Sequence, residues 1–373
     1  MNLINRKMIR DLDLMLIVAT VLAVAYGCAV LYSATFAQPS LTSDDPFSMV
    51  KKQVAAGLIG LALALALMAI GHNLLNRTYV LVYIGSVLVL VGVTLVGVRV
   101  RGALGWIRFG GFSLQPVEFV KVGVAIALAG YLSRRGGNVG FGEMMVALAM
   151  AAVPTGIVVL QNDLGSALVF IPMVIAMLWA AGADTKFVAG LVSAGLFVAA
   201  PLGYFIFLDD YQKNRILTFF NPGRDPFGAG YNVIQSVIGI GSGGLLGKGF
   251  TAGTQVQLGF VPEHHSDFIF TVIGEELGFI GASLALIILF VIIWRCLSVG
   301  LSTEDRFGNL LCVGISSILM THVLINVGMG MAMMPCTGIP LPFFSAAGSS
   351  LMATLMALGL VQSVSMRRKK ILF

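Results

Sequence analysis

Charge is what this sequence has least of. Asp, Glu, Lys and Arg together make up 11% of its 373 residues, less than half of the roughly 25% usual in soluble domains. Against 58% hydrophobic residues that scarcity excludes an ordinary water-soluble globule and points to a bilayer as the solvent. Cysteine is scarce too. Cys28, Cys296, Cys312 and Cys336 lie far apart in or beside apolar segments, which excludes a disulfide framework and a metal knuckle. Basic patches interleaved with aromatics are missing, so nucleic acid is excluded as a partner and the net charge of +6 bears on membrane topology instead. No soluble domain, low-complexity tract or clear internal repeat interrupts the chain.

What is there is a series of apolar runs, several long enough to cross a bilayer as a helix of about 20 residues. Ten spans are predicted, near 14–36, 50–70, 78–98, 115–133, 144–161, 164–182, 186–208, 268–294, 308–331 and 345–365. The first is too long and continuous for a cleaved signal peptide and reads as a retained anchor. The expected fold is an all-α polytopic membrane protein, one integral domain over residues 1–373. An even number of spans puts both ends on one side. "NRKMIR" near the start and "RRKK" near the end place that side in the cytoplasm. On this topology the cytoplasmic side holds 13 Lys+Arg against 6 Asp+Glu, and the other side 10 against 11.

One connection is long. Residues about 209–267 form an extracytoplasmic loop between spans seven and eight, and loops of this length are usually functional or disordered. "YNVIQSVIGIGSGGLLGKGF" (231–250) is too apolar for disorder, so the loop is expected to fold back on the bundle, with a short interfacial helix around 228–240. Its glycine-rich piece, "SGGLLGKG" (242–249), fails as a P-loop: Ser242 replaces the first glycine and Gly249 the Ser/Thr after the lysine. Gly239, Gly241 and Gly244 satisfy G-x-G-x-x-G but lack its strand–helix setting. Two readings stay open. Its backbone amides cradle an anion beside Lys248, or the segment is a tight turn packed on the bundle.

The intramembrane charges are few and costly. In "SLQPVEFVKVG" (113–123), Pro116 opens span four, and Glu118 and Lys121, three apart, share a helix face. They are either an internal ion pair or part of a polar cavity open to the outer side. Arg99, Arg101 and Arg108 precede this span on the side that should be poor in cations, which suits an anionic ligand. Asp163 in "LQNDLGSAL" (160–168) sits at another outer turn, where capping the next span is an equal alternative.

"FVPEHHSDFIFTVIGEELGF" (260–279) carries the densest set of polar groups. If the eighth helix starts early enough, Glu263 lies about 40° from Asp267, Glu275 about 80° off and roughly 12 Å deeper, and Glu276 opposite. The four carboxylates then form no single cluster. Asp267, at the membrane–water boundary, is the chemical candidate, with an N-cap as its plain alternative; Glu275 and Glu276 are expected to pair within the bundle. Adjacent His264 and His265 point apart on a helix and offer no H-E-x-x-H spacing, which argues against a zinc site. A hydrolase triad at Ser266 would consist of sequence neighbours unable to line up.

Long segments carry a family resemblance: "DYQKNRILTFFNPGRDPFGAGYNVIQSVIGIGSGGLLGKGF" (210–250), "GTQVQLGFVPEHHSDFIFTVIGEELG" (253–278), "QPVEFVK" (115–121), "QNDLGSA" (161–167) and "TGIPLPFFSAAGSS" (337–350). Together they resemble the SEDS family of cell-wall proteins over nearly the whole chain. "GSGGLLGKG" and "GTQVQLGFVPE" favour its elongation (RodA) branch over its division (FtsW) branch. The resemblance implies a peptidoglycan glycosyltransferase polymerising lipid II at the outer face of the bacterial cytoplasmic (inner) membrane. It implies Asp267 as the essential aspartate and a polar cavity containing Glu118, Lys121 and Asp163, to which Gln115, Glu263 and Ser349 are added. It further implies a class B penicillin-binding protein and the elongation machinery as partners. Two departures stand out: Ser266 where the family usually has Thr, and "SAAG" (345–348) where a Tyr–Gly pair is common.

The chemistry expected is attack of an acceptor sugar 4-hydroxyl on the anomeric carbon of a donor carrying polyprenyl pyrophosphate. Asp267 acts as general base. Lys121, Arg101, Arg108, Arg215 and Lys248 are candidate partners of the pyrophosphate, with a divalent cation, Mg or Mn, as a further one. Membrane lipids surround the bundle, and a lateral groove is expected for the lipid tails. The rival is a lipid II flippase, for which ten spans with buried charge are equally natural; a scaffold would leave Asp267 and the Glu118–Lys121 pair without a role.

Overall fold

The computed structural model describes residues 11–36, 45, 47–100, 102–109, 112–137, 139–206, 210–221 and 229–367. Ten helical spans run in order: α1 (Leu14–Thr35), α2 (Ser48–Ile70), then after the short α3 (His72–Arg77), α4 (Tyr79–Val96), α5 (Val117–Ser133), α6 (Phe141–Leu160) and α7 (Leu164–Ala180). The seventh is composite, with α8 (Thr185–Ala194) and α9 (Ala200–Ile206) joined by one π-helical stretch over Gly195–Ala199. After the long loop come α13 (Ile269–Leu301), α14 (Arg306–Gly330) and α15 (Gly348–Arg367). Four spans start on an aspartate whose carboxylate accepts a first-turn amide: Asp13 from Leu16, Asp163 from Ser166, Asp184 from Lys186, and Asp305 from Phe307 and Gly308. Each satisfies donors that hydrocarbon cannot.

α5 and α15 form the centre, buried along most of their length. α15 lies against α2 at a crossing of small residues: a Cβ on Gly359 would stand 2.5 Å from Ala64 Cα, and one on Gly60 3.0 Å from Met352 Cα. With no hydrophobic drive between helices in lipid, such close backbone approach is what holds them. At the end carrying the termini, Arg295 donates to Asp13 (Nε to Oδ2 3.1 Å), and Asp13 and Gln362 exchange hydrogen bonds of 3.0 and 2.9 Å. These contacts close α1, α13 and α15 together.

At the opposite end, residues 98–114 depart from the all-α expectation. They form an antiparallel meander of β1 (Val98–Val100), β2 (Ala103–Phe109) and β3 (Phe112–Leu114). The β-branched Val98, Val100 and Ile107 suit strands, and Gly102, at φ +87°, makes the first turn without a Cβ penalty. Gln161 docks the meander: its carbonyl accepts from Leu104 N (2.8 Å), and its side chain donates to Leu90 O and Thr94 Oγ1 (3.0 and 2.8 Å).

The long loop folds back as expected. It holds α10 (Asp210–Phe220), α11 (Ala229–Ser242), which matches the interfacial helix anticipated at 228–240, and the one-turn α12 (Thr254–Gln257). Its docking point is a break in α13. Gly278 has φ 63° and ψ −163°, so the backbone groups on either side lose helical partners. The loop supplies them: Phe279 N donates to Gly244 O (2.9 Å) and Ile280 N to Leu245 O (3.2 Å), while Lys248 N and Gly249 N donate to Glu275 O and Glu276 O (both 3.0 Å). A Cβ on Gly243 would fall 2.0 Å from Gly274 O, and one on Gly247 2.1 Å from Glu276 O. Only glycine permits this approach.

The carboxylates of Glu275 and Glu276 complete the junction. Glu275 accepts from Lys248 Nζ (2.7 Å), Gln255 N (2.8 Å) and Val256 N (3.1 Å). Glu276 accepts from Gln257 Nε2 (2.8 Å), from Thr251 N (3.3 Å) and from the Ser33 hydroxyl of α1. The expectation that these two glutamates pair within the bundle is corrected: apart from Ser33, their partners come from the loop. The break at Gly278 brings the loop down to them, which a straight helix would not do.

Two outcomes test this architecture. Gly359→Val overpacks the α2–α15 crossing and should cost about 1–3 kcal/mol, read as a lowered melting temperature in detergent; an unchanged midpoint would place the tight crossing elsewhere. Glu275→Ala leaves Lys248 and two loop amides without their acceptor, a loss of about 3–5 kcal/mol for a broken buried pair. Limited proteolysis should then cut within residues 245–257 before any membrane span; cleavage indistinguishable from wild type would refute the anchoring role.

Candidate functional site

Asp267 lies in a turn, not on a helix. Residues 262–268 form consecutive turns before α13 begins at Ile269. Glu263, in the left-handed region at φ 55°, accepts through its carbonyl from the amides of Ser266 (3.1 Å) and Asp267 (3.0 Å). The helical-wheel placement of Glu263 relative to Asp267 is therefore replaced by a turn. The cap residue of α13 is Phe268, one position after Asp267.

The turn is gripped through three successive carbonyls. His265 O accepts from Ala346 N (2.9 Å), Ser266 O from Ser345 Oγ (2.6 Å), and Asp267 O from Asn326 Nδ2 (2.9 Å). The "SAAG" departure thus has a plain reading, since Ala346 contributes its backbone amide. The Asp267 carboxylate stands over Gly338 (φ +76°), with Oδ2 3.6 Å from where a Cβ would sit.

Gly338 belongs to an extended strap, residues 336–341, between α14 and α15. Its carbonyls collect donors from several elements: Cys336 O from Arg215 Nη1 (3.2 Å), Ile339 O from Asn326 Nδ2 (2.8 Å) and Pro340 O from the ring of His322 (3.3 Å). A Cβ on Gly165, at the start of α7, would meet Thr337 O at 2.6 Å. Asp267 meets the strap at Gly338. A buried polar chain meets it at Pro340. Lys121 Nζ bonds Glu118 Oε1 (2.7 Å) and His322 Nε2 (2.8 Å); an ammonium has only donors, so Nε2 accepts and Nδ1 carries the proton toward Pro340. Gln115 donates from Nε2 to Asp163 Oδ2 (2.9 Å) and from its backbone to Ser349 Oγ (2.8 Å). Asp163 both caps α7 and accepts from Gln115. Burial raises its carboxyl above the ordinary aspartate range, against the lowering hydrogen bond from Ser166. The Cys336 thiol is likewise pushed up by burial, to about 11.

Other candidates lie elsewhere. Lys248 is engaged by Glu275 and by Thr254 Oγ1 (2.7 Å each), and the amides of Lys248 and Gly249 bond to the carbonyls of Glu275 and Glu276. The anion-cradle reading of 242–249 is corrected to the packed turn. Arg108 is exposed on the meander, as is Arg99; Arg101 lies outside the described residues. His264 places its ring nitrogens 2.7 and 2.8 Å from Val261 O and Ala34 O. Among the described residues no three His, Cys, Asp or Glu side chains converge as a metal cage. His322 and Asn326 escaped the sequence reading. Their signal was polarity four residues apart inside an apolar span.

An apolar groove of ≈ 1520 Å³ runs between α7, α13 and α14. Trp179 and Trp294 line it, Ser302 and Asn309 lie toward the end carrying the termini, and Pro335 and Thr337 bring its other end to the strap.

This arrangement agrees with known proteins across the whole chain. The model of the FtsW/RodA/SpoVE cell cycle proteins matches residues 13–370. A probable peptidoglycan glycosyltransferase FtsW of Geobacter metallireducens is 35% identical over 374 residues, covering 98% of each chain. A solved structure described as coordinating polymerization and crosslinking in a peptidoglycan synthase complex superposes with TM-score 0.79 at 32% identity, over 96% of this chain and 98% of that one. The crystal structure of the Thermus thermophilus rod shape determining protein RodA gives 0.72 at 28%, over 96% and 98%. The chain is a polytopic membrane protein that belongs to the FtsW/RodA/SpoVE family, the SEDS proteins.

Proposed function

We propose that this protein is a peptidoglycan glycosyltransferase that polymerises lipid II at the outer face of the bacterial cytoplasmic membrane, with Asp267 as general base. The observation that carries the reading is the placement of Asp267. A carboxylate is held on a turn gripped at three carbonyls, beside a strap that also closes one end of a membrane-depth apolar groove. The groove suits polyprenyl chains, and the strap end suits their pyrophosphates and sugars. As the acceptor 4-hydroxyl attacks the donor anomeric carbon, the new C–O bond forms and the bond to pyrophosphate breaks. Asp267 takes the hydroxyl proton, and the pyrophosphate leaves with the electron pair.

Arg215 is the cation that reaches the strap beside Asp267, and we assign it to the departing charge. Lys121, held by Glu118 and His322, orders the Gln115–Asp163–Ser349 side of the cavity, and Glu263 shapes the turn. Arg108 and Arg101 meet the anionic headgroups as they approach. No protein cage for Mg or Mn is offered among the described residues, so a divalent ion would enter on the pyrophosphate oxygens. With both termini cytoplasmic, as the basic ends direct, this site faces outward. There it meets a class B penicillin-binding protein, which crosslinks the product.

We assign the chain to elongation, on "GSGGLLGKG" and "GTQVQLGFVPE" and on its likeness to RodA. Its likeness to FtsW-named relatives makes division the competing role. The flippase reading has one observation of its own: the groove reaches from Thr337 toward Asn309 at the opposite end of α14, a path a lipid could follow.

Polymerisation of purified lipid II with the cognate penicillin-binding protein separates these. Wild type should make glycan, and Asp267→Asn should be slower by ~10²–10⁴-fold with an unchanged melting temperature and intact partner binding. Full activity in Asp267→Asn would move the base elsewhere, and no polymer from folded wild type would restore the flippase. Depletion in a rod-shaped host should produce rounded cells; filaments would assign the chain to division.

A further inference from the structure

We propose that Asn326 is the residue that positions Asp267, an inference that rests on the general-base reading above. Asn326 is fully buried in α14, and its amide group spends both hydrogens on backbone carbonyls of two separate segments: Asp267 O at 2.9 Å and Ile339 O at 2.8 Å. One planar –NH2 thus sets the spacing between the turn that carries the carboxylate and the strap beneath it. Asp267 Oδ2 lies over Gly338, the residue immediately before Ile339, so the clamp acts where the carboxylate stands.

The other two grips on the turn do not share this geometry. Ser345 and Ala346 hold the carbonyls of Ser266 and His265 from the segment leading into α15, while Asn326 holds Asp267 itself. Asn326 also comes from a membrane helix, a stiffer support than a loop. One turn earlier on the same face, His322 links Pro340 O to Lys121. Through the two side chains, α14 sets the strap against both halves of the polar site.

Asn326 Oδ1 is buried and accepts no hydrogen bond among the described residues. An unmatched acceptor in a membrane span is a cost to stability. An amide here is explained by its two donors.

A positioning role predicts loss of turnover with substrate binding kept, since a displacement of about 1 Å at a reacting group can cost ~10²-fold. In the complex with the class B penicillin-binding protein, Asn326→Ala should lower kcat for lipid II about 100-fold with KM within about threefold. Asn326→Ser keeps one donor and should recover part of the rate; it also carries the test where the alanine variant fails to fold. Melting temperature and complex formation, measured on each variant, separate slow turnover from lost protein. Folded variants with kcat within about threefold of wild type, or a raised KM at unchanged kcat, would overturn the proposal. Asp267→Asn assayed alongside keeps the two ideas apart. An inactive Asp267→Asn beside active Asn326 variants rejects the positioning role alone. An active Asp267→Asn rejects the general base and this inference with it.

Discussion

The arrangement of the end that carries Asp267 depends on one break in one helix. At Gly278 the backbone of α13 leaves helical geometry in the apolar part of the molecule, where no water can satisfy the exposed amides and carbonyls. Residues 244–249 answer with four backbone hydrogen bonds, and the carboxylates of Glu275 and Glu276 bind residues between Lys248 and Gln257. A loop of about sixty residues thereby gains a fixed floor. α11 lies against α13 above that floor, through Ser236 and Thr271, and the chain passes from α12 through residues 258–261 into the 262–268 turn. Remove the break and the approach to Asp267 loses these anchors.

The second constraint is how a carboxylate is held still without a helix or strand under it. Here the hold is on carbonyls. Three successive ones in the turn and three in the strap receive donors from α10, from α14 and from the segment leading into α15. Carbonyl contacts place the chain by its backbone, so they tolerate side-chain changes that would break a side-chain site. Ala346 shows this: its contact with His265 O is made by the backbone amide, which every residue but proline carries.

The membrane spans were legible in the sequence because about 20 apolar residues in a row have few other uses. All ten emerge near their expected places, as does the helix at 229–242. The Glu118–Lys121 contact was legible too, from spacing alone. The glutamates at 275 and 276 were not, because helical angles were measured along an unbroken helix that started before Glu263. The chain is a turn there, and the helix breaks at Gly278. Lys248 was misread for the same reason: nothing in its neighbourhood announces that its partner lies 27 residues away across a kink. The meander at 98–114 is too short and irregular for a two-residue period to show. His322 and Asn326 were visible as polar residues in an apolar run, yet most of their partners are backbone carbonyls, which no residue pattern marks.

Charge inside the bundle is held by pairing, as its low-dielectric surroundings demand. Three ionisable groups inside the helical bundle are matched closely: Lys121 by Glu118, Glu275 by Lys248, Asp13 by Arg295. In low dielectric such matching is what makes burial tolerable, and it commits both partners. Asp267 is half-buried, placed before the helix begins on a turn fixed through its backbone, and the Arg215 guanidinium bonds the nearby strap carbonyl of Cys336. The carboxylates of Glu118, Glu275 and Glu276 hold the bundle and its loop together, whereas that of Asp267 stands at the strap on a turn that the backbone fixes.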